Sequence, residues 1–303
     1  MSRLKFLAAL ATLAASIMPA GADAAPNKTG RESINGVDYY YEVHGKGEPL
    51  LLLHGGLGSI DMFAPMMLPS LSAHREVIAV DLQGHGRTPL GDRPFSLQSM
   101  GEDMAVLAKR LGRERVDVVG YSMGGGVALR MAIQQPQSVR RLVIISAPYS
   151  DDGFYADMKP KQAAVSAQMA PMMKDTPMYN SYAAVAPKID DFPRLLDTLG
   201  AFMRGKYDWS AEVKTLRMPV MLVYGDSDMI TPEHIVKFYQ LLGGGLQDAG
   251  WQRETMSKNR LAILPDLTHY DIFTSPRLAA TVLPFVDGKS DARNWAEQVN
   301  APK

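Results

Sequence analysis

The sequence predicts an α/β protein with a mostly parallel central sheet and helices on both of its faces. Three observations lead there. Short runs that are apolar at every position recur along the chain: Leu50–Leu53, Val77–Val80, Val116–Val119, Leu142–Ile145, Val220–Tyr224 and Leu261–Leu264. Strands without polar alternation are buried on both faces, as in a parallel sheet between helix layers. Helical patterns stand between these runs, and strand–helix alternation of this kind is the signature of an α/β sheet. The 303 residues, 46% hydrophobic and 21% charged, suit one large globular domain or a domain carrying an insertion.

The elements follow in chain order. Arg3 and Lys5 precede an apolar run from Phe6 to Ile17, and Ala22-Asp23-Ala24 comes after Pro19. A positive start, a short apolar stretch and an A-x-A site make residues 1–24 an expected signal peptide, cleaved after Ala24, for a periplasmic or secreted protein. The run is too short to span a bilayer, which takes about 20 apolar residues, so no stable membrane anchor is expected. Ala25 to Gly30 is expected to be a flexible leader. Asn35-Gly36 then sits between apolar residues, the signal of a type I′ hairpin, with Val37–Val43 as its second strand.

Among the helices, Leu97, Met100, Met104, Leu107 and Leu111 recur at spacings of three and four, with Ser96 as N-cap and Gly112 past the end. Met123–Gln135 and Thr231–Leu242 read similarly, Pro232 taking the first helical position of the latter. Residues 149–217 lie between two sheet strands without a strand-like run of their own, and predict a helical insertion over the sheet. Residues 243–259 form a shorter polar insertion, expected as a surface loop. The sheet-bearing core expected from this division is 25–148 with 218–287, the cap 149–217, and 288–303 an exposed tail.

Charge and composition exclude several classes. Lys+Arg and Asp+Glu are both 32, so the formal net charge is zero; no basic footprint for nucleic acid or a membrane surface is present. There is no cysteine, which removes disulfides, a catalytic thiol and cysteine-bound zinc. A small molecule is the expected partner. The sequence gives no indication of oligomeric state.

Gly120-Tyr121-Ser122-Met123-Gly124 carries the chemistry. This G-x-S-x-G follows an apolar strand and opens a helix, the context in which a serine occupies a strained strand-to-helix turn. A serine hydroxyl needs a base. Of six histidines, His44 and His74 are peripheral, His54 and His85 belong to glycine-rich turns, and His234 reads as a surface residue in the first turn of a helix. His269, after the last strand, is placed at the same sheet edge as Ser122. The acid should lie between them in the chain, and Gly225-Asp226-Ser227-Asp228 offers two candidates. Asp81 precedes the serine and reads as a turn residue; Asp151 and Asp152 come one strand too early. His54-Gly55-Gly56 ends a strand with amides free to hold an oxyanion, and the amide of Met123, after the nucleophile, is the expected second donor.

Taken together, His54-Gly55-Gly56, Asp81-Leu82-Gln83-Gly84-His85-Gly86-Arg87, Gly120 to Gly125, Gly225-Asp226-Ser227-Asp228 with Thr231-Pro232, and His269 resemble the α/β-hydrolase superfamily, in its esterase, lactonase and perhydrolase-like branch with a helical cap. The resemblance spans residues 32–287. It implies Asp228 as the catalytic acid through the pattern G-x-x-D-x-x-x-P, Gly56 and Met123 as oxyanion donors, and His85 as a structural loop residue. It implies a serine hydrolase acting on a small carboxylic ester or lactone, with no metal or organic cofactor. A carbon–carbon bond hydrolase or enol-lactonase with the same triad is the alternative, and a non-catalytic binding protein of this fold a more distant one. Ser122 stands where haloalkane dehalogenases and epoxide hydrolases have aspartate, and Met123 where the aminopeptidase branch has tryptophan. Leu57 and the cap methionines Met172 and Met173 are the candidate substrate contacts, methionine being frequent on adaptable apolar surfaces.

Overall fold

The computed structural model describes residues 25–289 and 292–299. The expected signal peptide lies outside the described residues. Eight strands form one sheet: β1 (Lys28–Ile34), β2 (Val37–His44), β3 (Pro49–Leu53), β4 (Glu76–Val80), β5 (Val116–Tyr121), β6 (Val139–Ile145), β7 (Val220–Ser227) and β8 (Arg260–Thr268), in the spatial order β1-β2-β4-β3-β5-β6-β7-β8. The β1–β2 and β2–β4 pairs are antiparallel and all the others parallel. Asn35 and Gly36 both have positive φ, 49° and 83°, as a type I′ turn requires. Lys28, Thr29 and Gly30 already pair with Val43, Glu42 and Tyr41, so the strand takes up half of the stretch expected as a leader.

The alternation of buried side chains explains why the strands read as continuous apolar runs. Leu51, Leu53, Val116, Val118, Leu142, Ile144 and Leu222 enter one core, and Leu50, Leu52, Val119, Val143, Ile145 and Val223 enter the other. The first core is closed by α2 (Leu97–Arg110) and α3 (Met123–Gln134), the second by α1 (Met67–Ser72) and α10 (Pro276–Val286). Ser96 caps α2, its Oγ accepting from the Ser99 amide at 3.3 Å.

Between β6 and β7 the chain forms α4 (Met158–Ala163), α5 (Ala170–Met173), α6 (Pro177–Val185), α7 (Phe192–Arg204) and α8 (Ser210–Val213). Phe192, Leu195, Leu196 and Leu199 make one buried stripe on α7, against which α4 and α5 pack. The helical segment is tied at its root: Asp151 N donates to Tyr207 O and Trp209 N to Tyr149 O, both at 3.0 Å. α9 (Pro232–Leu241) follows β7, and residues 243–259 then form turns. In the tail, α11 (Trp295–Val299) adds a short helix, its Trp295 set edge-on against Trp251. Among the described residues no helix is long and apolar enough to cross a membrane.

Candidate active site

Gly56 and the three residues of the candidate triad each sit just past the carboxyl end of a strand or at its last turn. Gly56 follows β3, Ser122 β5, Asp228 β7 and His269 β8, on strands that β6 joins into one continuous series. Ser122 has φ 53° and ψ −119°, the strained turn between β5 and α3. Its flanking glycines are required by close approach. A Cβ on Gly120 would lie 2.2 Å from Gly124 O, and one on Gly124 would lie 2.5 Å from both Leu53 O and His54 O. Real Cβ atoms do not come that close to backbone, so the elbow admits glycine alone at both positions.

The structure brings the three polar side chains into one line. Ser122 Oγ is 3.0 Å from His269 Nε2, and His269 Nδ1 is 3.1 Å from Asp228 Oδ1. A carboxylate only accepts, so Nδ1 carries the ring proton and Nε2 presents its lone pair to the serine hydroxyl. The Asp228 side chain is 1% exposed and His269 is buried, while Ser122 stays partly open. Asp226 faces elsewhere: it is exposed and accepts from the amides of Asp266 and Leu267 at 3.1 and 3.4 Å. The Asp266 amide, first among its contacts, holds that carboxyl below its ordinary range. Gly56 lies in open space, and neither its amide nor that of Met123 has a partner among the described residues.

Comparison with known proteins identifies the fold family. Residues 48–175 match the family described as alpha/beta hydrolase fold. A putative carbamate hydrolase RutD of Azorhizobium caulinodans is 28% identical over 229 residues, covering 70% of this chain and 84% of its own. The magnesium-chelatase 30 kDa subunit of Rhodobacter capsulatus is 30% identical over 236 residues, 68% of this chain and 80% of its own. The carboxylesterase CesB from Bacillus subtilis superposes with a TM-score of 0.66 at 20% identity, over 87% of this chain and 92% of that one, and so shares the fold. The chain belongs to the α/β-hydrolase superfamily.

Other residues of this hydrolase were not singled out by motif. Ser146, after β6, donates from Oγ to Asp228 Oδ2. Tyr121, the variable residue of G-x-S-x-G, donates to the His269 carbonyl at 2.5 Å and lays its ring 5.3 Å from the imidazole. Burial, with Asp228 adding to it, drives the Tyr121 hydroxyl far above its ordinary range, so it serves as a neutral donor. The short, local signals of a motif cannot report bonds that span 82 and 148 residues.

One sequence expectation is corrected. His234 is no surface residue: it is 6% exposed, stacked on Tyr149 at 4.0 Å, and accepts from the Tyr149 amide at 3.2 Å. Burial lowers its pKa to about 4. Gly153 and Tyr149 arrive from the far side of the helical insertion to cover it, which helix periodicity does not reveal. Met172 is 73% exposed, whereas Met173 is buried in the core that the inserted helices share. Leu57 is half-buried against that core at φ 55°, beside Gly56. His54 and His85 are buried loop imidazoles, pushed by burial to about 4 and about 3. Asp81 accepts from the amides of Ile60 and Arg87, both at 2.8 Å, and ties two loops together. Among the described residues no group of three or more potential metal ligands occurs.

Proposed function

We propose that this hydrolase cleaves a small carboxylic ester or lactone through an acyl-enzyme formed on Ser122. The observation that carries the reading is the unbroken relay from Ser122 Oγ through His269 to Asp228, with contacts of 3.0 and 3.1 Å. His269 Nε2 takes the hydroxyl proton as Oγ attacks the carbonyl carbon. The resulting oxyanion is held by the amides of Gly56 and Met123. Asp228 keeps the imidazole in the productive tautomer and stabilises its cation. His269 then gives the proton to the leaving alkoxide, and water, activated by the same imidazole, releases the acid. We further propose that the protein is exported, with residues 1–24 removed so that the chain begins at Ala25; intact mass of the exported protein tests this.

The test of the chemistry is Ser122→Ala with p-nitrophenyl esters, lactones and vinylogous diketones as substrates. A loss of about 10⁶-fold in kcat on esters, as for the triad serine of a well-characterised serine protease, is expected in a folded protein. An organophosphonate should label Ser122 in the parent and nothing in the variant. Undiminished turnover by Ser122→Ala, or turnover confined to carbon–carbon cleavage, contradicts the reading.

A further inference from the structure

Ser146 follows directly on β6 and is 1% exposed. Its φ is 52°, a left-handed backbone that is disfavoured for a residue with a side chain and persists only where the surroundings impose it. They do so here. The Ser146 amide donates to Val223 O at 2.9 Å, adding one rung to the β6–β7 ladder, and the Tyr224 hydroxyl donates to Ala147 O at 2.7 Å. The turned backbone brings Ser146 Oγ to Asp228 Oδ2, leaving Oδ1 for His269. Ser122 and Ser146 are therefore two serines in left-handed turns, on neighbouring strands of one sheet edge, at opposite ends of the same relay.

We infer that Ser146 is a positioning residue, whose hydroxyl orients the Asp228 carboxylate and draws off part of its charge. The inference rests on the Ser122–His269–Asp228 reading and adds a group that touches neither substrate nor the reacting atoms. A carboxylate removed from water needs a donor on each oxygen. Without the hydroxyl, Oδ2 is unsatisfied, the carboxylate is free to turn, and its whole charge acts on the imidazole. The imidazolium then forms at higher pH, which moves the acid limb of activity upward. The ionisable groups that act on Asp228 besides His269 are Tyr121 and Tyr224, with Tyr270 and Asp271 near the first and Tyr207 near the second. Burial keeps the Tyr121 and Tyr224 hydroxyls neutral, and all five are common to parent and variants.

The experiment is the pH profile of kcat/KM on a p-nitrophenyl ester for Ser146→Ala, Ser146→Gly and Ser146→Cys. Ala and Gly should each lower kcat about tenfold and raise the acid limb by about half a pH unit, the loss expected for one hydrogen bond to a charged group. Gly relaxes the left-handed strain, so it guards against a variant that merely unfolds, and the shift it shares with Ala belongs to the hydroxyl. Cys, a weak donor, should restore part of both effects. In an Asp228→Asn background, Ser146→Ala should cost nothing further. An unshifted acid limb in both Ala and Gly, or a full tenfold loss persisting in the Asp228→Asn background, overturns the inference. If Asp228→Asn itself turns over like the parent, the triad reading fails instead.

Discussion

Replacing Asp228 by asparagine should disable catalysis by reversing one ring tautomer. Ser146 donates to Oδ2 and His269 Nδ1–H to Oδ1. In Asp228→Asn the Ser146 hydroxyl keeps its acceptor when the amide oxygen takes the place of Oδ2, and the NH₂ group then turns towards Nδ1. Nδ1 then has to accept, the ring proton moves to Nε2, and the base that Ser122 requires is gone. With the side chain 1% exposed, no water can substitute. The loss is about 10⁴ in kcat, equivalent to about 5.5 kcal/mol of transition-state stabilisation. Asp226→Asn should behave differently: its exposed carboxylate accepts two loop amides, and asparagine keeps an acceptor oxygen for them. A melting-temperature decrease of ~2–4 °C at most, with kcat within about twofold of the parent, is expected. Steady-state kinetics on a p-nitrophenyl ester and thermal melts of both variants decide the matter. An inactive Asp226→Asn beside a working Asp228→Asn would refute the reasoning.

Two further outcomes follow from packing and burial. Gly124→Ala sets a Cβ 2.5 Å from two backbone carbonyls of the β3 end, so α3 must retreat and carry the Met123 amide with it; kcat should fall about 10²-fold, as for a misplacement of about 1 Å, together with the melting temperature, and unchanged values of both would show the elbow to be looser than drawn. His234 has its pKa lowered to about 4 by burial, against the opposing pull of Asp152 and Asp208, and lies below its unfolded value of about 6.5, so the unfolded chain binds the extra proton and stability falls as pH drops through that window. The share of His234 is at most about 3 kcal/mol by pH 4, so the gap in melting temperature between the parent and His234→Gln should narrow from pH 7 to pH 4.5; a constant gap would place the acid sensitivity elsewhere.

What the sequence made legible was whatever is decided within a few residues. The apolar runs marked the strands because both faces of each are buried, and Asn35-Gly36 and Ser96 marked a turn and a cap through their own backbone chemistry. The elbow around Ser122 was legible for the same reason. The choice between Asp226 and Asp228 was not open to spacing alone. Two residues apart on a regular strand point the same way, but the β7–β8 register shifts between Gly225 and Ser227, and the two carboxylates part company there. Ser146 carried no signal, since its partner is 82 residues away. His234 and Met173 owe their burial to segments that fold over them from elsewhere, and Met172, the neighbour of Met173, has no such cover.

The root of the helical insertion has a consequence for how such an enzyme can change its taste. Residues 149–151 and 207–209 run side by side, with a β-bridge between Ser150 and Asp208 and hydrogen bonds on either side of it. The two ends of the intervening 55 residues are thus already closed on each other before the first cap helix begins. Closing a longer or shorter segment on such a stub changes the loop entropy by only about 0.6 kcal/mol per doubling. Strands β6 and β7, with Ser146 at the end of one and Asp228 just beyond the other, meet the same stub whatever stands above it. A foreign segment grafted here should therefore leave the contacts among Ser122, His269 and Asp228 untouched, so that the lid and the sheet edge beneath it can vary as separate parts.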